Sequence, residues 1–388
     1  MMQCIHAIFT VNNVVNNMWI HEHQKWTDFI WDAERLGSKL ANIRHAQGRL
    51  LGRMEGLGFD LKQEASLNTL TNDVVRSSAI EGQNLNPAEV RSSIAGRLGI
   101  KIVEFVHVSR DVEGMVEMML DATQQFSKSL TKERLYNWHT SLFPTGGSGL
   151  HPITVGDWRS MDTGPMQVVS GAIGNENIHY EAPSADRLEQ EMAAFLEWFD
   201  SKNDVDPVLK AGIAHLWFVS IHPFEDGNGR IARAIADMAL ARADGISERF
   251  YSLSTQMETE RKNYYSQLEK QQRSTPEITG WLEWFLDCLG RAIEGSEKTL
   301  RNVLFKAHLW DKINQKPVNE RQRLIINRML EDNFEGHMNT SKYAKLAKCS
   351  TDTALRDIQV LKARDILIQN LGRGRSTSYR LPAPKEDI

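Results

Sequence analysis

Cysteine is scarce in this chain of 388 residues: there are three, Cys4, Cys288 and Cys349, too far apart to form a ligand pair. That excludes a disulfide framework and offers no zinc motif, so a reducing, cytoplasmic setting is expected. Neither sign of charge dominates, with 46 Lys+Arg against 50 Asp+Glu and a net charge of −4. So balanced a chain has no global pull toward nucleic acid or an anionic membrane. No apolar run approaches the ~20 residues that span a bilayer, and the N-terminus lacks the basic start and clean apolar block of a secretory signal. No membrane is therefore expected among its partners. Residues 1–17 are Asn-rich and unpatterned, and read either as a flexible extension or as an upstream start preceding Met18.

What the chain has instead is helical periodicity and one dense cluster of chemistry, IHPFEDGNGRIAR at Ile221–Arg233. Gly227 and Gly229 let consecutive backbone N–H groups converge on an anion, and a helix expected to start near Asn228 adds its positive end. Asp226 stands beside that nest, where a carboxylate tolerates phosphate only with a divalent cation between them, so Mg²⁺ is expected. Arg230 and Arg233 are three residues apart and share a helix face, offering forked donors to outer phosphates. His222 is the group suited to take a proton from a hydroxyl near pH 7. Each piece alone is common; their conjunction is not.

The string closely resembles the HPFx[D/E]GNGR signature of the Fic family of protein AMP-transferases. The resemblance implies His222 as general base, Asp226 as the Mg²⁺ ligand, Gly227, Asn228, Gly229 and Arg230 as the phosphate cradle, and Arg233 as the arginine reaching the γ-phosphate. Some relatives that transfer a terminal phosphate carry lysine where this chain has Gly229, which favours nucleotidyl transfer here. ATP, a protein hydroxyl on Ser, Thr or Tyr, and the protein itself are then the expected reactants, with Mg²⁺ as cofactor. Removal of AMP at the same site is the alternative within this class, and a nucleotide-sensing DNA-binding regulator is the alternative outside it.

Upstream, Trp26, Phe29, Ala33, Leu36, Leu40 and Ile43 recur at three- and four-residue steps and predict an amphipathic helix from Gln24 onward. Leu67, Leu70, Val74 and Val75 predict another that runs into SSAIEG, Ser77–Gly82. A glutamate before glycine ordinarily ends a helix in solvent. With the Fic string downstream, Ser77, Glu81 and Gly82 resemble the inhibitory helix of Fic proteins, which implies a Glu81–Arg233 pair occupying the arginine meant for ATP. Near 158–182, Met166, Val168, Ile178 and Tyr180 flank a turn at Gly171–Gly174 and suggest a β-hairpin. The family has such a flap for holding target segments, which implies that role for Val168 and Val169. On YYSQLEKQQ, Tyr265, Leu268 and Gln272 share a helix face able to hold a purine. The family's YYxxL helix implies the same for Tyr264; Gln272 departs from the asparagine common there.

Length suggests two or three domains. The reading is mainly α: an extension (1–17), a helical N-terminal module (18–95) with its inhibitory helix at 64–82, a Fic core with a small β-hairpin flap (96–313), and a C-terminal module (319–388). In the last, helices at 320–332, 340–346 and 351–363 precede two strands around LGRGRSTS, an order resembling a winged helix. Lys342–Arg380 holds nine Lys or Arg against three Asp, so DNA binding through a wing carrying Arg373 and Arg375 is one expectation and protein docking another. Both a monomer and a homodimer are left open.

Overall fold

The computed structural model describes residues 3–6, 18–102, 106–149, 151–172, 175–330, 334, 336–371 and 377–382. The chain divides into two compact units, 1–296 and 297–388, and the described residues are mainly α-helical.

Helix starts in the first unit follow local chemistry. Asp32 caps α1 (Ala33–Glu55) by accepting from the Arg35 N–H. The helix predicted from Gln24 thus begins nine residues later. Ile30 is held extended, its N–H donating to Pro276 O and its carbonyl accepting from Ile278, which keeps the preceding segment out of the helix. Trp26 and Phe29 are instead packed edge-on against Trp217, a ring cluster that outweighs helical periodicity. The helix α2 (Phe59–Ile80) buries Leu67, Leu70 and Val74 and ends where Gly82 takes a left-handed φ of 84°. Asn86 and Pro87 start α3 (Pro87–Leu98), and α4 (Arg110–Gln124) and α5 (Lys132–Leu142) follow. At Gly114 a β-carbon would stand 1.7 Å from Ser141 O, so these two helices touch backbone to backbone.

Gln3–His6 form β1, and two short strands follow α5, β2 (Gly147–Ser148) and β3 (His151–Pro152). A hairpin comes next, β4 (Met166–Ala172) with β5 (Asn175–Glu181). Strand β1, from the stretch read as an extension, pairs antiparallel with β4 in the register Cys4↔Val168. The rest of 1–17 lies outside the described residues, as do Ile173 and Gly174 of the expected turn.

The centre of the unit is a helix pair. Asp206 caps α7 (Pro207–Ile221), which comes after α6 (Leu188–Asp200) and is buried along nearly its whole length. It packs on α8 (Asn228–Asp244), also buried on all sides through Ala241. Helices α9 (Leu253–Thr259), α10 (Arg261–Gln272) and α11 (Thr279–Asn314) complete the set. An apolar helix enclosed by others keeps its ends, and the loop between them, fixed in place.

The second unit has α12 (Glu320–Met329), α13 (Thr340–Leu346), α14 (Thr351–Ala363) and an antiparallel pair of two-residue strands, β6 (Ile368–Gln369) and β7 (Tyr379–Arg380). Its core gathers Ile325, Ile326, Tyr343, Ile358 and Leu361, and also Leu309 and Ile313, which the sequence reading placed in the preceding domain. Asp357 ties it together by accepting from Asn319, Arg321 and Tyr343. Arg373 and Arg375 lie outside the described residues.

Candidate active site

The loop between α7 and α8 carries His222, Asp226 and the glycines. His222 ends α7 with φ 52° and ψ 57°, a left-handed conformation that a non-glycine residue keeps only when its surroundings demand it. Here they do. Arg159, buried, donates through Nε to His222 O at 2.8 Å and through Nη2 to Pro183 O at 2.5 Å, while its own N–H donates to Pro223 O at 2.9 Å. The imidazole is buried too, and its Nδ1 meets Val219 O at 3.2 Å. A carbonyl only accepts, so Nδ1 carries the proton and Nε2 the lone pair. Burial first, then the Arg159 charge, lower the His222 pKa to about 4, so the ring is neutral at pH 7.

Asn228 locks the rest of the loop. Its side chain accepts from Phe224 N–H at 3.0 Å and donates to Phe224 O at 2.7 Å. Phe224 stacks on His139 with centroids 4.1 Å apart. His139 Nδ1 accepts from Gly156 N–H, so its Nε2 donates to Asp226 O at 3.1 Å. Burial lowers the pKa of His139 to about 4 as well. Glu225 accepts from Thr154 N and Oγ1, at 3.1 and 2.9 Å, pinning the neighbouring loop.

Asp226 reaches outward, its side chain 35% exposed, accepting from Ser148 Oγ and from Gly227 N–H, each at 2.5 Å, with Arg230 Nη2 3.8 Å away. No group of three or more His, Cys, Asp or Glu side chains able to enclose a metal exists among the described residues. A single carboxylate suits Mg²⁺ completed by phosphate oxygens and water, so the residues present fit that ion in that mode. Gly227 has φ 85°, and a β-carbon there would meet the Phe143 ring at 2.9 Å. The α8 N-terminus receives no side-chain cap, which leaves its first turn suited to an anion.

Arg233, 1% exposed, is the meeting point of two helices. Its Nε donates to Ser77 Oγ at 2.8 Å and its Nη2 to Ser77 O at 2.9 Å, and Nη2 also pairs with Glu81 Oε1 at 2.8 Å. Arg233 Nη1 and Arg230 Nε are buried and make no hydrogen bond among the described residues. At Gly229 a β-carbon would lie 2.2 Å from Glu81 Oε1, so this glutamate stands directly against the backbone of the glycine turn. Gly82 provides the turn that follows, and Gln83 beyond it accepts from Arg230 Nη1 at 3.2 Å.

The residues read as an adenine pocket are divided. Tyr265 Oη donates to Ile80 O at 3.2 Å and contacts Glu81 Oε2 at 3.4 Å, so it holds the end of α2. Tyr264 is buried with its hydroxyl 2.9 Å from His215 Nε2, Leu268 is buried four residues further along the helix, and Gln272 donates to Ser220 Oγ at 3.3 Å. Val168 and Val169 lie on β4, flanking a register shift in its pairing with β5. Sequence reasoning missed Arg159, His139, Ser148 and Glu225. Glu225 was inside the string yet unread, and the other three come from segments with no motif of their own.

Residues 129–240 match the Fic/DOC family, and residues 19–100 match a domain of unknown function, DUF4172. The chain is 26% identical over 228 residues to a protein adenylyltransferase Fic of Nematostella vectensis, covering 57% of this chain and 47% of that protein. It is 24% identical over 172 residues to protein adenylyltransferase fic-1 of Caenorhabditis elegans, covering 44% and 31%. The chain thus spans about half or less of the length of these relatives. A Fic domain containing signaling protein from Bacteroides thetaiotaomicron superposes with a TM-score of 0.50 at 18% identity, over 67% of this chain and 98% of that one, a likeness of fold. With the loop, the helix pair around it and the family match in agreement, the chain carries a Fic/DOC family domain at residues 129–240.

Proposed function

We propose that this protein transfers AMP from ATP to a hydroxyl of a protein, itself included, and that Glu81 restrains the transfer. The observation that carries the reading is Arg233, a deeply buried guanidinium in the second turn of α8 that pairs with Glu81 at 2.8 Å. Adenylyltransferase names among relatives of the same domain support it.

In this reading the α8 N-terminus, Gly227, Gly229 and Arg230 bind the phosphates. Asp226 would hold Mg²⁺, which when bound neutralises phosphate charge. The target hydroxyl oxygen attacks the α-phosphorus in line, the bond from that phosphorus to the bridging oxygen breaks, and pyrophosphate leaves. His222 Nε2 takes the hydroxyl proton, its tautomer set by the Val219 carbonyl and its position by Arg159. Arg230 and Arg233 stabilise the charge on the departing phosphates. While Glu81 occupies Arg233, a γ-phosphate meets a carboxylate instead of a cation and binds poorly. Incubation with α-labelled ATP and Mg²⁺ tests this: the Glu81→Gly protein should label itself, and the same protein with His222→Ala should not. Label retained without His222 would overturn the reading.

Residues 319–388 of the second unit are, in our reading, a winged-helix module that docks protein or DNA. A steep loss of DNA affinity with added salt in gel shifts of the full chain would support DNA.

A further inference from the structure

The flap holds a second constellation that the AMP-transfer reading does not use. Ser170 Oγ on β4 lies 2.6 Å from His179 Nε2 on β5, and His179 Nδ1 lies 2.9 Å from Glu269 Oε2 on α10. A carboxylate only accepts, so the Nδ1 proton is directed at Glu269 and Nε2 presents its lone pair to the Ser170 hydroxyl. Hydroxyl, imidazole and carboxylate stand in the order that activates a serine for attack on carbonyl carbon.

The backbone builds this arrangement. Val168 pairs with Tyr180 but Val169 pairs with Ile178, so His179 is the additional residue at a β-bulge. A bulge re-aims a side chain that strict alternation would send elsewhere, and here it brings His179 onto Ser170. Arg273 then fixes the third member, pairing with Glu269 Oε1 at 3.3 Å one helical turn away and donating to Ile178 O, which ties α10 to the same strand. The His179 and Glu269 side chains are 20% and 34% exposed and Ser170 is half-buried, so the three groups are not sealed from solvent.

We propose that Ser170, His179 and Glu269 form an acyl-transfer site for small activated carboxylic esters, separate from His222. Ser170 Oγ bonds to the ester carbonyl carbon as its proton passes to His179 Nε2. The carbon–oxygen bond to the leaving alcohol breaks, that alcohol takes the proton, and an acyl-serine remains. Water, deprotonated by the same nitrogen, releases the acid and restores Ser170. The net reaction is ester plus water to acid plus alcohol.

The test uses the full-length chain without ATP. A fluorophosphonate probe should label Ser170, identified by peptide mapping, and p-nitrophenyl acetate should give a nitrophenolate burst that Ser170→Ala abolishes. His179→Ala should slow labelling by about 10²-fold or more. Added imidazole should partly restore it, a rescue that a merely bracing histidine would not show, and Glu269→Gln should slow labelling less. His222→Ala should label at the unmodified rate, so failure here is distinct from failure of the nucleotidyl reading. A folded protein unlabelled at Ser170, labelling undiminished in His179→Ala, or labelling lost with His222 would each overturn the site and leave the three groups as a brace between flap and α10.

Discussion

Glu81 Oε1 sits 2.8 Å from Arg233 Nη2 and at the position a side chain on residue 229 would need. One carboxylate thus occupies both the cation and the space of the proposed phosphate cradle. Replacing Glu81 by glycine should raise self-labelling by about tenfold or more, the scale of an ordinary coupling between two sites, and lower the ATP concentration needed. Quantified incorporation from α-labelled ATP measures both. Unchanged incorporation and affinity would remove Glu81 from regulation.

Gly229→Ala should act oppositely to what release of Glu81 alone would give. The added β-carbon meets Glu81 Oε1 at 2.2 Å and displaces it, yet the methyl then fills the cradle. Labelling should stay near background both in Gly229→Ala and in Gly229→Ala with Glu81→Gly. Activation of the single variant to the level of Glu81→Gly would show that phosphates do not approach this backbone.

Four buried histidines are neutral at pH 7: His21, His139 and His222 with pKa lowered to about 4, and His215 to about 3, burial being the main cause in each. The unfolded chain binds protons at these sites from about pH 6.5 downward while the folded chain resists, so stability is full above that value and falls as pH drops toward 4. Each site shifted to about 4 can cost about 3 kcal/mol at the acid end. Denaturant midpoints between pH 7 and pH 4.5 should fall steadily. The acid limb of kcat/KM for labelling by the Glu81→Gly protein should lie well below pH 6.5; a limb at 6.5 would mean that His222 is not held as described.

Arg159→Ala should weaken both stability and labelling. Removing the guanidinium strips buried carbonyls of His222 and Pro183 of their donor, at about 1–3 kcal/mol each, and frees His222 to leave its left-handed conformation. In the Glu81→Gly background, kcat should drop with little change in KM for ATP, since Arg159 contacts His222 and not the residues proposed to bind phosphate. A change confined to KM would contradict that assignment.

Asp73 on α2 is buried with Oδ1 accepting from Ser252; burial, then the neighbouring Asp237 charge, hold its pKa well above the usual carboxylate range. A folded pKa above the unfolded one means the carboxylate opposes folding at neutral pH. Asp73→Asn keeps an acceptor for Ser252 and should raise stability at pH 7 by about 1 kcal/mol or more. Thermal melts at pH 7 check the sign; a lower melting temperature would refute it.

The sequence by itself determined the chemistry that is local: the α7–α8 loop with its histidine, acid and glycines, the capped helix starts at Asn86 and Asp206, and the hairpin at Met166–Glu181 were legible because turns, caps and nests are built from residues adjacent in the chain. The Glu81–Arg233 pair was reached through family resemblance, since nothing local links residues 152 positions apart. Only the tertiary structure decided that Arg159 grips the His222 carbonyl, that Tyr265 holds the end of α2, and that a bulge turns His179 toward Ser170. Those relationships depend on which buried faces meet when α7 and α8 are enclosed, and periodicity reports only that a face is buried, not its partner. For the same reason Trp26 and Phe29, helical by spacing, left the helix for the rings of Trp217.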